Sequence, residues 1–320
     1  MAVGEARVPL LREERHAHHG DGGKSNQLSG GALVVTSLLA GAAAGALAKT
    51  AIAPLDRTKI NFQTSEIPYS WRAAVRFITR SARAEGLPAL WRGNSATMAR
   101  IVPYAAIQFT AHEQWKRLLA VDDPQRAHAA PLRLLLAGSL AGVTSQSATY
   151  PLDLARARMA VADYRSLRAV FGRVLREEGL VTLYRGYPAT VLGVIPYAGV
   201  SFFTYDSLKH WYLEYTGSSP RGLTNMAFGG AAGALAQTAS YPLDIVRRRM
   251  QTARRRADRT YPYPTIAATL RTVYRSEGWR GFFKGLSMNW VKGPIAVGIS
   301  FASYDAIKSA LRDISLTLTT

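Results

Sequence analysis

Asp56, Asp153 and Asp244 each stand two residues after a proline and three residues before a base, which is Lys59, Arg156 or Arg247. That spacing puts acid and base about one helical turn apart. These groups offer no bond-making chemistry. They offer ion pairs that can be made and broken. In a membrane helix such charges are costly unless they pair or meet water. Two pairings are open: local pairs within each helix, or pairs in which each acid meets the base of a neighbouring copy. Local pairs do not need three copies in equivalent places, so the threefold pattern favours the cyclic arrangement. The first copy departs from the others further on, with Asn61 where they have Arg158 and Arg249.

A second set of charged residues breaks the symmetry. Lys49 lies five residues before Pro54, where the other copies have Gln146 and Gln237. Arg100 and Lys292 each lie seven residues after a glycine, and the middle copy has Gly193 at that offset. No acid lies near any of the three cations in sequence. They are therefore candidates for holding an asymmetric anion; the alternative is that they snorkel to a surface or pair with distant acids.

The elements that must position these residues are repeats. The prolines Pro54, Pro151 and Pro242 recur at intervals of roughly 97 and 91 residues. Each is followed by an acid-glycine signature: Glu85-Gly86 leading to Trp91-Arg92-Gly93, Glu178-Gly179 to Tyr184-Arg185-Gly186, and Glu277-Gly278 to Phe283-Lys284-Gly285. The proline signature ends a helix-like segment rich in small residues, such as Gly41 and Gly45, which allow close helix approach in lipid. The glycine of the second signature opens another long segment. That segment closes on Glu113 and Lys116, on Asp206 and Lys209, or on Asp305 and Lys308. His112 precedes the first of these pairs, where the others have tyrosine. A short amphipathic stretch lies between, starting near Trp71, Tyr164 or Tyr263. A repeat therefore reads as helix, short surface helix, helix. Two spans per copy give all copies one orientation, hence pseudo-threefold symmetry. The expected organisation is a disordered tail over 1–31 and repeats over 32–120, 130–216 and 221–312.

Composition alone does not reveal a membrane protein. The chain is 48% hydrophobic and 19% charged, and no run of about 20 residues is wholly apolar. The net charge of +19 points to an anionic partner. The absence of cysteine excludes disulfides, thiolate catalysis and cysteine metal sites. The N-terminal stretch holds Glu5, Glu13, Glu14 and Asp21 and fits neither a secretory signal nor a transit peptide. His16, His18 and His19 offer metal ligands there, but a disordered tail is the plainer reading. The Gly-rich runs lack the Gly-Lys-Ser/Thr ending of a phosphate loop.

The two signatures and their triple repetition resemble the mitochondrial carrier family over about residues 32 to 312. The resemblance implies an all-α membrane protein: six transmembrane helices, with a short matrix helix in each repeat, around a water-filled cavity in the mitochondrial inner membrane. It also implies that hydropathy is weak because each helix is lipophilic on one side only. By resemblance, Asp56, Lys59, Asp153, Arg156, Asp244 and Arg247 form a matrix gate. Glu113, Lys116, Asp206, Lys209, Asp305 and Lys308 form the matching cytoplasmic gate, weaker at His112. Lys49, Arg100 and Lys292 hold substrate phosphates, and Gly193 and Val194 leave a flat slot for adenine with Tyr197 and Ser240 beside it. The segments beginning Pro103-Tyr104, Pro196-Tyr197 and Gly285-Leu286 are similar to those of family members that exchange coenzyme A for adenine nucleotides, including adenosine 3′,5′-diphosphate. An ADP/ATP exchanger is the alternative, but that group usually carries Arg-Arg-Arg-Met-Met-Met where this chain has Met250-Gln251-Thr252 after its arginines. The amides opening at Gly93, Gly186 and Gly285 are candidates for cardiolipin phosphates. A monomer is expected, with no cofactor and no metal.

Two other classes fare worse. The runs Arg247-Arg248-Arg249 and Arg254-Arg255-Arg256 suggest nucleic acid, but a solvated basic loop near anionic lipid accounts for them. An enzyme finds no support, since no activated nucleophile, metal cluster or paired carboxylates share a face.

Overall fold

Each of the six long helices carries a proline in its interior. Proline donates no hydrogen bond and displaces the carbonyl four residues back, so each helix is weakened at mid-length. The computed structural model describes residues 30–123, 130–164, 166–256, 258 and 260–319. The tail histidines lie outside the described residues. The long helices are α1 (Gly30–Thr64), α3 (Asn94–Leu118), α4 (Pro131–Val161), α6 (Tyr187–Thr216), α7 (Leu223–Thr252) and α9 (Leu286–Thr319). Three short helices, α2 (Trp71–Glu85), α5 (Leu167–Glu177) and α8 (Ile266–Glu277), follow α1, α4 and α7.

Ser70, Ser166 and Thr265 start the short helices. Each hydroxyl accepts a hydrogen bond from the third helical amide, at Ala73, Ala169 and Ala268. In the first repeat the cap immediately precedes Trp71, whereas α5 and α8 begin three residues beyond Tyr164 and Tyr263. A 3₁₀ turn follows each short helix, at Leu87–Trp91, Leu180–Tyr184 and Trp279–Phe283.

Tight helix pairing runs between repeats: α3 lies along α4, α6 along α7, and α9 along α1. Gly93 and Gly186 make two of these seams possible. Both have positive φ (89° and 81°), and a Cβ on either would sit 2.9 Å from a carbonyl oxygen of the next repeat, that of Arg156 or Arg247. Only glycine tolerates both conditions. These carbonyls belong to the bases of the proline signatures, so the seams fix the helices that carry the ring charges.

The proline carbonyls are managed in more than one way. In the first repeat the indole of Trp91 donates to the Thr50 carbonyl at 2.8 Å, the group that Pro54 leaves free. In the other repeats a tyrosine precedes the proline and joins the helices differently. Tyr150 donates to the Arg185 carbonyl at 2.7 Å and Tyr241 to that of Lys284 at 2.8 Å.

The outside of the barrel is apolar. Phe109, Phe203 and Phe301 are 74%, 72% and 66% exposed, which water does not favour. Among the described residues one stretch, Leu180–Thr216, is long and apolar enough to cross a membrane by length and composition.

Candidate functional site

Where α1, α4 and α7 converge, the three acids of the proline signatures each meet a base from another repeat. Asp56 pairs with Arg156, Asp153 with Arg247 at 2.6 Å, and Asp244 with Lys59 at 3.0 Å. The pairing is cyclic. Among the described residues, the local ion pair within a proline signature helix, Arg248 to Asp244, is long at 4.0 Å. Asp153 is 1% exposed, so its charge depends on these partners.

Two glutamines reinforce the ring. Gln63 donates to Asp244 at 2.9 Å and Gln251 to Asp153 at 2.7 Å. Both stand nine residues after their proline, where the second repeat has Ala160. The missing donor to Asp56 is replaced by Lys292, whose ammonium lies 2.8 Å from Oδ1. Sequence reading missed the glutamines; their shared offset in two repeats was the available signal.

A second ring lies just outside the first. Arg158 grips Glu178 through both terminal nitrogens, at 2.5 and 2.8 Å, and Arg249 pairs with Glu277. The first repeat, with Asn61 at this position, was expected to lack such a base. Arg57 supplies it from one turn earlier and pairs with Glu85 at 3.0 Å. Its partners are equivalent: Arg57 donates through Nε to the Ala160 carbonyl, Arg158 to that of Gln251 and Arg249 to that of Gln63. The ring is complete because the long guanidinium reaches the same acceptors from another position.

Above the ring opens a cavity of about 980 Å³. Gly193, Val194, Tyr197, Ser240 and Lys292 line it, so five of the seven predicted contact residues share one space. Arg100 and Lys49 do not line it. Arg100 is held beside it, donating to Thr149 at 3.1 Å and Gln146 at 2.5 Å, and lies 3.5 Å from Asp153. Its guanidinium also sits 4.6 Å from the centre of the Tyr104 ring. Lys49 is exposed and borders a smaller pocket with Asp56, Asn94 and Arg156. It makes no ion pair among the described residues. The alternative of pairing with distant acids thus describes Arg100 and Lys292, whose partners Asp153 and Asp56 are far away in sequence.

At the other end the charged residues do not join across repeats among the described residues. Glu113 pairs locally with Lys116 at 2.9 Å, and Asp206 lies 3.6 Å from His210. Lys308 sits over Tyr304, 5.4 Å from the ring centre. Lys209 and Asp305 make no ion pair among the described residues. One end of the barrel is therefore closed by a charge ring, and the other is open.

A family profile described as mitochondrial carrier protein matches residues 32–123, 127–216 and 219–315. The mitochondrial coenzyme A transporter SLC25A42 of Homo sapiens is 58% identical over 287 residues, which cover 88% of this chain and 89% of that one. The transporter of the same name from Danio rerio is 54% identical over 292 residues, covering 89% and 90%. The mitochondrial carrier protein CoAc1 of Zea mays is 36% identical over 295 residues, covering 86% of each.

Proposed function

Because the chain belongs to the mitochondrial carrier family, and so is a multi-pass protein of the inner mitochondrial membrane, we propose that it exchanges coenzyme A for adenine nucleotides by alternating access. The observation that carries this reading is a cavity of about 980 Å³ closed at one end only, with a cation and an uncharged slot at its base. ADP and adenosine 3′,5′-diphosphate are the counter-substrates of matching chemistry. The similar transporters from Homo sapiens and Danio rerio support coenzyme A by their names.

In this reading the inner ring is the matrix gate, and the structure is the state open to the cytoplasm. The base of the nucleotide enters the slot at Gly193 and Val194, beside Tyr197 and Ser240. Its phosphates draw on Lys292, Arg100 and Lys49. Lys292 and Arg100 are occupied by Asp56 and Asp153, so an arriving phosphate competes with the gate acids for them. Charge-assisted bonds to phosphate are strong enough for that competition. Ring opening is then supplied by substrate, which must bind the two states differently. Glu113, Lys116, Asp206, Lys209, Asp305 and Lys308 close the cytoplasmic side in the opposite state. The chain works as a monomer, with repeats over 32–120, 130–216 and 221–312. Cardiolipin phosphates dock at the first-turn amides following Gly93, Gly186 and Gly285, which have no intrahelical acceptor.

The test is uptake of labelled coenzyme A into vesicles containing the purified protein. Vesicles preloaded with adenosine 3′,5′-diphosphate should take it up, and empty vesicles should take up little. Equal uptake by both would mean a uniporter or channel and end the exchange reading.

A further inference from the structure

The charged residues of the cavity wall, Lys59, Asp244, Arg247 and Lys292, are all at its base. Above the Gly193 slot the cavity continues toward the open end between α4 and α6. There the wall is uncharged: Leu134, Leu135, Gly138 and Ser139 on one side, Ser201 and Phe202 on the other. A nucleotide seated at the base leaves this part unfilled. Cavities for drug-sized ligands run from roughly 300 to 1,000 Å³, so about 980 Å³ suits a ligand larger than a mononucleotide.

We propose that this upper cleft between α4 and α6 holds the pantetheine arm of coenzyme A, an inference that rests on the substrate reading above. The chemistry matches along the whole length. The arm is uncharged, carries a branched hydrocarbon next to the diphosphate, and then has two amides before its thiol. Leu134, Leu135 and Phe202 offer apolar contact, and the hydroxyls of Ser139 and Ser201 have no hydrogen bond among the described residues. They are free to meet the amides. The length is comparable too. The arm is about four residue-equivalents long, roughly 14 Å when extended. Tyr197 to Tyr205 spans about 12 Å of helix, and both residues line the cavity. The ligand bends at its diphosphate, with base and phosphates below and the arm rising along the wall. Adenosine 3′,5′-diphosphate, which has no arm, uses only the base of the cavity.

Two variants in vesicles test this, each with both substrates. Gly138 lines the cavity and a Cβ on it meets no atom within 4 Å, so the side chain of Gly138→Leu starts in open space within the cleft. Coenzyme A uptake should fall at least tenfold, while exchange of adenosine 3′,5′-diphosphate for itself stays at the wild-type rate. That retained exchange also shows the variant is folded. Because a plug discriminates by size alone, the second variant narrows nothing. Ser139→Ala with Ser201→Ala removes two hydrogen-bonding groups and should raise KM for coenzyme A about fivefold or more, with no change for the nucleotide. Coenzyme A uptake at the wild-type rate and KM in both variants overturns the subsite. So does equal slowing of both substrates. Wild-type protein that exchanges adenosine 3′,5′-diphosphate but not coenzyme A overturns the substrate assignment, and the subsite with it.

Discussion

Ala160 sits where two other repeats have a glutamine on the ring, and this one difference leaves Asp56 to Lys292. Ala160→Gln is expected to donate to Asp56 as Gln63 does to Asp244. The ring then gains a bond that substrate cannot withdraw, so thermal stability should rise and the exchange rate should fall. A melting scan and initial rates check this; a faster carrier would mean that Lys292 is not coupled to the ring. The ring pairs themselves are reciprocal. Asp153→Lys should impair exchange, and adding Arg247→Asp should restore part of it. Breaking a buried pair costs about 3–5 kcal/mol. A double variant no better than either single one would contradict the cyclic pairing. At this scale the acids and bases were legible because they recur three times at one offset. The partners of Arg100 and Lys292 were not, because Lys292 and Asp56 lie 236 positions apart and no local pattern encodes their contact.

The helices were legible from the two signatures, and their ends less so. Capping serine and threonine fix α2, α5 and α8, and the aromatic residues used to place them stand inside the start only in the first repeat. The second ring shows how an element can meet one requirement from a different position. Arg57 occupies the place of Leu154 and Ile245, which are fully buried in the other repeats, and does the work of Arg158 and Arg249. Arg57→Leu should therefore destabilise the protein by about 2–3 kcal/mol, since the buried carbonyls of Ala160 and Ala89 lose their donor and Glu85 keeps only Arg92. Adding Asn61→Arg should recover part of that loss, because an arginine there reaches the same acceptors in the other repeats. Urea or thermal unfolding of single and double variants decides this. Without any recovery, the two positions are not interchangeable.

At the scale of the molecule, the closed ring, the open mouth and the cavity between them form one device. Arg100→Ala and Lys292→Ala should each abolish exchange of coenzyme A and of ADP while leaving the protein folded, as initial rates and melting curves would show. Wild-type rates in both would make these cations structural. Threefold order was legible in the sequence, and so was its breaking at Lys49, Arg100, Gly193 and Lys292, but that the cavity wall comes mostly from α4, α6 and α7 was not. The seam between α9 and α1 joins the two ends of the described chain. Lys59 finds Asp244 across 185 positions, and Lys284 reaches the Ser65 carbonyl across 219. The first repeat therefore cannot close its seam or compensate its lysine until the last repeat is in place beside it. Contacts this distant form slowly. A chain stopped short of α9 is accordingly not a smaller barrel but an open arc, with lipid free to enter where the final wall should stand.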